Sequence, residues 1–213
     1  MSARIEMSAT AVRPRARFVR EAADVRRQAL IDATARCLAE KGVSGTSVRG
    51  ICARAGVSSG LLTHYFDGVD ALVLATYADV GAKVSAAIDM AVAQAGPDPR
   101  DRLRACLQAN FCAPILDPDL LATWIAFWSL VKTDPSIAAV HAEVYRASRR
   151  QLESFLHAAA PFMSNHQVRI AVISLTALVD GLWLELCLDP STFSAEEAQA
   201  MVERAMLQAL DQK

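Results

Sequence analysis

The stretch Thr46-Ser47-Val48-Arg49-Gly50-Ile51-Cys52-Ala53-Arg54-Ala55-Gly56-Val57-Ser58-Ser59-Gly60-Leu61-Leu62-Thr63-His64-Tyr65-Phe66 sets the architecture of the N-terminal third. Thr46 or Ser47 can cap a helix whose buried stripe is Val48, Ile51, Cys52 and Ala55. Gly56 permits a left-handed turn at little steric cost. Val57 plugs the corner, and Ser58 caps a second helix anchored by Leu61, Leu62 and Phe66. Two short helices, about 47–54 and 59–65, joined by a glycine-containing turn make a helix-turn-helix. Such a unit can lay its second helix in the DNA major groove, with that helix's first residues at the base edges. The same pattern also serves as a structural helical hairpin, and spacing alone does not separate the two.

The rest of the chain reads as helices punctuated by breakers. One helix is expected from about Glu21 to Lys41, with Leu30, Ala33, Thr34, Cys37 and Leu38 on one face and Gly42 as its stop. A longer one should cover about 69–94. Asp98-Pro99, Asp117-Pro118 and Asp134-Pro135 each pair a capping carboxylate with a proline at the first helical position, so helices should begin near 99, 118 and 135. Pro161 separates two helices, Asp189-Pro190 closes the second, and Ser194-Ala-Glu-Glu197 fits a capping box. The fold class is all-α, with about nine helices and no strand signal.

Composition excludes several classes. The 213 residues are 53% hydrophobic and 21% charged, too apolar for a disordered chain. No long stretch lacks charged or strongly polar side chains, so no membrane span is expected. The first twenty residues carry Arg4, Arg13, Arg15, Arg17 and Arg20 without an apolar run, unlike a secretory signal. Five cysteines without a Cys-x-x-Cys pair fit reduced, mostly buried thiols of a cytoplasmic protein. The net charge of −1 divides unevenly: residues 1–66 hold 11 Lys+Arg against 5 Asp+Glu, and the remainder 11 against 18. A basic front on an acidic body suits a polyanionic partner, as it also suits a solvated surface. There is no Gly-x-Ser-x-Gly, P-loop, Gly-x-Gly-x-x-Gly or His-Glu-x-x-His, so no catalytic residues, metal site or cofactor are expected. His141-Ala-Glu143 and His157 would meet at a metal only by chance.

Together with Leu30-Ile-Asp-Ala-Thr-Ala-Arg-Cys-Leu-Ala-Glu-Lys-Gly42, the helix-turn-helix block resembles the DNA-binding domain of the TetR family of repressors. Ala55-Gly-Val-Ser58 and His64-Tyr65-Phe66 carry that resemblance, which covers about residues 28–74. It implies an all-helical homodimer whose three N-terminal helices bind a double-stranded DNA operator and whose larger domain binds a small-molecule effector. Ala122-Thr-Trp-Ile-Ala-Phe-Trp128, the Tyr145–Phe155 segment with Ser148-Arg149-Arg150, and Ala177-Leu-Val-Asp-Gly-Leu-Trp-Leu184 resemble the BetI-type branch. That branch is associated with repression of choline-to-betaine genes. The expected organisation is a basic mobile arm over 1–20, a DNA-binding domain over 21–67 and a ligand-binding and dimerisation domain over 68–213.

Residue roles follow from position. Ser47, Arg49, Ser59 and Tyr65 are candidates for phosphate contacts, and Ser58 with Ser59 opens a helix whose free N–H groups suit an anion. Gly60, Leu61, Thr63 and His64 lie on the recognition helix and can face the bases, and the position of His64 equally suits a phosphate contact. One position departs from the family pattern: where a lysine usually follows the Tyr-Phe pair by three residues, this chain has Val69, between Asp67 and Asp70. That removes a common phosphate contact and leaves the arginines of the arm to compensate.

In the larger domain Trp124, Phe127 and Trp128 share a helical face. With Phe111 on the preceding helix, Tyr145 on the next and Trp183 on the penultimate one, they form either plain core or an aromatic box for a quaternary ammonium, with Asp180 as counter-charge. Asp180 and Glu185 interrupt an apolar run, so each must be paired, at an interface or facing a pocket. The last two helices, about 166–188 and 195–211, carry Ile170, Ile173, Ala177, Leu178, Gly181, Leu182 and Leu184, then Ala198, Met201, Val202, Ala205, Leu207 and Leu210. That pattern suits a four-helix dimer bundle, and equally a monomer core. The expected function is a ligand-responsive homodimeric repressor. The rival is a helical small-molecule-binding or scaffolding protein that has lost operator binding.

Overall fold

In the computed structural model the described residues are 14–211, with side chains from residue 23 onward. They form nine α-helices: α1 Pro14–Gly45, α2 Val48–Ala55, α3 Ser59–Tyr65, α4 Gly68–Gln94, α5 Pro99–Gln108, α6 Pro118–Leu130, α7 Pro135–Ala159, α8 Asn165–Leu188 and α9 Ala195–Leu210. A single 3-10 turn, Ala109–Phe111, follows α5, and no strand occurs among the described residues.

The expected helix starts hold because their chemistry is local. Asp98 accepts from the Arg100 N–H at 2.7 Å, Asp117 from Leu120 at 2.9 Å, and Asp134 from Ser136 and Ile137 at 2.8 and 3.1 Å. Each is followed by the proline that needs no N–H partner. Ser164 with Gln167, and Ser194 with Glu197, close reciprocal capping boxes.

Three expectations are corrected. Helix α1 begins at Pro14, not Glu21, so residues 14–20 of the expected arm are helical. Proline is at home in a first helical turn, and nothing between it and Glu21 breaks a helix. Residues 1–13, with Arg4 and Arg13, lie outside the described residues. Gly42 does interrupt α1, at φ 63 and ψ −171, but another helical turn follows it. Phe111 sits in the 3-10 turn rather than on α5.

Two hydrophobic cores result. The smaller gathers Leu30, Ile31, Cys37, Ile51, Cys52, Leu62, Phe66 and Leu72 from α1 to the start of α4. The larger fills the space among α4–α9 and takes in Leu38 of α1. Helix α6 lies along α1, and the buried Thr123 hydroxyl donates to the Ala35 carbonyl at 3.1 Å. On α4, Tyr77 is fully buried and stacks on Phe127 of α6, ring centroids 4.2 Å apart and planes 8° from parallel.

Helices α4 and α8 are long and apolar enough to cross a bilayer by length and composition, with peak mean hydropathies of 1.4 and 1.8. Both hold charges midway: Asp79 and Lys83 on α4, Asp180 on α8. Those charges are engaged with other helices of the fold.

The residues expected at a dimer face divide. Ile170, Ile173, Leu184, Met201 and Leu207 are exposed, and so is Leu188, at 69% the most exposed of these. Leu182, Ala198, Val202 and Leu210 turn inward to the larger core. Each helix is apolar on two sides, and a period of 3.6 does not say which side faces its own chain.

Phe127→Ala should cost about 3–5 kcal/mol of unfolding free energy, because the ring is fully buried against Tyr77. Urea denaturation reads it, and a loss below about 1 kcal/mol would contradict this packing.

Candidate DNA-binding face and ligand cavity

Helices α2 and α3 are fixed by their caps. The Ser47 hydroxyl accepts from the Gly50 N–H at 3.2 Å, and that of Ser58 from the Leu61 N–H at 3.3 Å. Between them Gly56 takes φ 67, a left-handed conformation, and its N–H and that of Val57 both close on the Cys52 carbonyl. Inside, Leu62 and Phe66 anchor α3 to the smaller core, and the Arg27 guanidinium lies 4.9 Å from the Phe66 ring centre.

What remains outside is a polar face. Ser47, Arg49, Ser58, Ser59, Gly60, Thr63 and His64 are exposed, while Leu61 and Tyr65 are half-buried. A capping serine accepts with its oxygen and keeps its proton to donate, so Ser47 and Ser58 retain a donor for phosphate. Arg49 makes no ion pair among the described residues, whereas Arg54 is held in a two-pronged pair by Glu40 of α1. The Thr63 hydroxyl is bonded to the Gly60 carbonyl at 3.1 Å and leaves its methyl free. His64 meets Tyr65 edge to face at 5.0 Å. Val69 is half-buried against the margin of the smaller core, while Asp67 and Asp70 stay in solvent.

The second site is a cavity of about 370 Å³ between α4, α7 and α8, floored by α5 and α6. Of the residues expected in an aromatic box, Trp124, Tyr145, Asp180 and Trp183 line it. Phe111, Phe127 and Trp128 do not. Phe111 is buried in the core, and Phe127 is covered by Tyr77. Trp128 stands behind the wall, its indole N–H donating to the Tyr145 hydroxyl at 3.2 Å. A shared helical face fixes direction and not depth, so i, i+3 and i+4 neighbours divide between cavity and core.

The Tyr145 hydroxyl is the polar centre of the wall. It accepts from Trp128 and, at 3.4 Å, from Trp124, and donates to Asp180 Oδ1 at 3.1 Å. Burial pushes the Asp180 carboxyl up to about 6, against the lowering effects of the Tyr145 bond and the Arg149 charge. Burial, then the Asp180 charge, hold the Tyr145 phenol well above its ordinary range. His141 Nδ1 lies 2.8 Å from the buried Tyr77 hydroxyl, and burial, then Arg149, keep its ring below the usual histidine range. The Arg149 guanidinium lies 5.4 Å from the Tyr145 ring centre. Glu185 is exposed and takes no part.

Several lining residues were not singled out from sequence as ligand contacts: Gly81, Asn110, Ser148, Gln151 and Thr176. Ser148 and Leu152 fall one and two turns beyond Tyr145 on α7, so helical spacing from Tyr145 was the available signal. Gly81 is there because a Cβ would come within 3.1 Å of Val144, and the bare backbone brings α4 against α7.

A polar cluster joins the two regions. Lys83 of α4 bonds Asp32 of α1 at 3.0 Å and Asp79 of its own helix at 2.9 Å. Gln28 of α1 donates to both carboxylates.

Comparison with known proteins fits this geometry. Residues 30–76 match the family profile of bacterial regulatory proteins of the tetR family, and residues 99–211 that of the BetI-type transcriptional repressor C-terminal domain. An HTH-type transcriptional regulator BetI of Burkholderia lata is 38% identical over 162 residues, 76% of this chain and 81% of that one. Its namesake in Burkholderia thailandensis is 36% identical over 176 residues, 82% and 88% of the two chains. A solved transcriptional regulator of Pseudomonas aeruginosa PAO1 superposes with a TM-score of 0.81 at 39% identity, covering 92% of this chain and 95% of that one. One from Saccharomonospora viridis, in complex with choline, shares the fold with a TM-score of 0.73 at 18% identity, covering 85% and 95%.

Ser58→Ala should cost about 1 kcal/mol by leaving the first turn of α3 uncapped. Thermal melting reads the loss, and an unchanged melting temperature would mean that the serine does not hold the helix.

Proposed function

The chain belongs to the TetR family of bacterial regulatory proteins, with a BetI-type repressor C-terminal domain, and is a DNA-binding transcriptional regulator, not an enzyme; on that footing we propose that it is a cytoplasmic homodimeric repressor released from its operator by an organic cation in the α4–α7–α8 cavity. The observation that carries this reading is the course of α4. It starts two residues after Phe66, at the end of the recognition helix, and its Ala78, Gly81 and Ala82 line the cavity.

On the DNA side Ser47, Arg49, Ser59 and Tyr65 hold phosphates, and Ser58 adds its cap proton. Gly60, Leu61, Thr63 and His64 face the bases. Two copies pair through the outer stripe of α8, where Ile170, Ile173, Ala177, Gly181, Leu184 and Leu188 recur at three- and four-residue steps. Met201 and Leu207 of α9 extend that surface. A Cβ on Gly181 would meet nothing within 4 Å, so that position is open for close helix crossing.

In the cavity, ring faces of Trp124, Tyr145 and Trp183 hold a choline-like cation at roughly 0.5–2 kcal/mol each. Asp180 supplies the counter-charge, in competition with the resident Arg149. Filling the cavity moves α4 and with it α3. A coupling of about 1–3 kcal/mol changes operator occupancy roughly 5–150-fold.

Fluorescence anisotropy on DNA from upstream of the chain's own gene, at about 150 mM salt, tests the regulator. Preference over scrambled DNA is expected. Arg49→Ala should weaken all DNA alike and reduce the salt slope by about 1, and Thr63→Ala should cost about 1–3 kcal/mol and relax specificity. No preference for any fragment would favour a helical binding protein without operator function.

The sign of the pH dependence follows from Asp180. Its carboxyl titrates at about 6, and only the ionised form attracts a cation. Choline affinity, read by tryptophan fluorescence, should be full above that value and fall roughly tenfold per pH unit below it, as one proton is linked to binding. His141, held below the usual histidine range by burial and then by Arg149, adds positive charge as the pH falls. Asp180→Asn should abolish the step near pH 6, weaken choline and leave operator binding intact. A choline affinity independent of pH between 5 and 8 would contradict the role given to Asp180.

A further inference from the structure

The cavity is longer than the aromatic box at its end. Helices α4 and α7 run parallel, held together at Tyr77–His141, then at Gly81–Val144, then at Asp89–Gln151. From the first pair to the last is about 15 Å along α7 at 1.5 Å per residue. Trp124, Tyr145, Asp180 and Trp183 all belong to the first end, where Trp183 also donates to the Asn110 carbonyl at 3.0 Å. The other end is of different character. Ile88 of α4, Cys106 of α5 and Leu152 of α7 line it, two turns along α7 from Tyr145. Gln151 there gives its amide to Asp89, and burial pushes the Cys106 thiol up to about 12, so it stays a neutral, apolar group. The volume of about 370 Å³ falls in the range of roughly 300–1,000 Å³ that encloses drug-sized molecules, well beyond choline.

We propose that this cavity takes an amphiphilic cation: an ammonium head against Tyr145 and Asp180, and an apolar chain running along the wall that α4 and α7 form together, to Ile88, Cys106 and Leu152. The inference rests on the cation reading of the same cavity. The head fills one end only and leaves the apolar wall at the other end uncovered. The distance from Tyr145 to Leu152, about 10 Å, matches a chain of roughly eight to nine bonds at about 3.5 Å per three bonds.

The test is a titration of the wild-type protein with n-alkyltrimethylammonium ions from methyl to decyl, each below its micelle concentration. All three tryptophans of the chain lie in or directly behind the cavity wall and report binding. The dissociation constant should fall about fourfold per added methylene, to a break at about eight or nine carbons. The n-alkanols of equal length should bind at least tenfold more weakly. Cys106→Leu, checked for folding by thermal melting, should move the break to a shorter chain and leave tetramethylammonium unchanged; the wild-type series stands without it. A flat series from methyl to decyl would overturn the chain-binding channel and leave the cation box standing. Alkanols binding as tightly as the cations would overturn the cation reading, and this inference with it. No binding by any member would overturn both.

Discussion

Helix α4 is a single unbroken rod built into both cores. Its Leu72 is fully buried among α1, α2 and α3, and one and a half turns later Tyr77 is fully buried among α6 and α7. A packed interior resists continuous deformation, so the rod moves as a body or not at all. Any displacement of its cavity-lining turns, at Ala78 and Gly81, is therefore felt at its first turn, which abuts the recognition helix. Lys83 and Gln28, bridging α4 to α1 through Asp32 and Asp79, are polar and partly solvated contacts. Contacts of that kind are individually weak and re-form at small cost, unlike a repacked core. They fit a junction between two arrangements of α4 against α1.

The cavity wall manages its polar atoms by sharing them. One hydroxyl, that of Tyr145, satisfies two indole N–H groups and half of one carboxylate. Among the described residues no fully buried polar side-chain atom is left without a partner. Asp180 is nonetheless an acid in a poor solvent, which is why its proton is held more tightly than in water. In the proposed cation complex, a positive charge in the cavity would offset that cost and favour the ionised carboxyl. Below about pH 6 the proposed binding of a cation is then linked to release of that proton, and above it the ionised carboxylate is already in place.

Much of this was legible in the residues, and for local reasons. The Asp-Pro starts of α5, α6 and α7, the serine caps of α2 and α3 and the Ser194–Glu197 box each depend on a few neighbouring residues. They read correctly because no distant contact has a vote. The start of α1 did not, because an arginine-rich segment after Pro14 has neither a cap nor a breaker to mark its boundary. In the cavity, spacing put Trp124, Phe127 and Trp128 on one face, but Tyr77 was the unseen partner that took Phe127 into the core. Tyr145, Asp180 and Trp183 come from two helices far along the chain, and only their aromatic and acidic character signalled them. On α8 and α9 the apolar positions were evident, while their division into inner and outer sets waited on the orientation of α5, which contacts α9 through Arg104 and Glu203 at 2.8 Å.

Paramagnetic labels on the two α3 helices of the proposed dimer, with their separation measured by double electron–electron resonance, test the proposed coupling through α4. Without ligand the separation should suit successive major grooves, about 34–36 Å centre to centre. A saturating alkyltrimethylammonium ion should shift that separation by several ångströms in the same concentration range that releases operator DNA. DNA release with an unchanged separation, or a shift that leaves DNA affinity untouched, would contradict the transmission of ligand binding along α4.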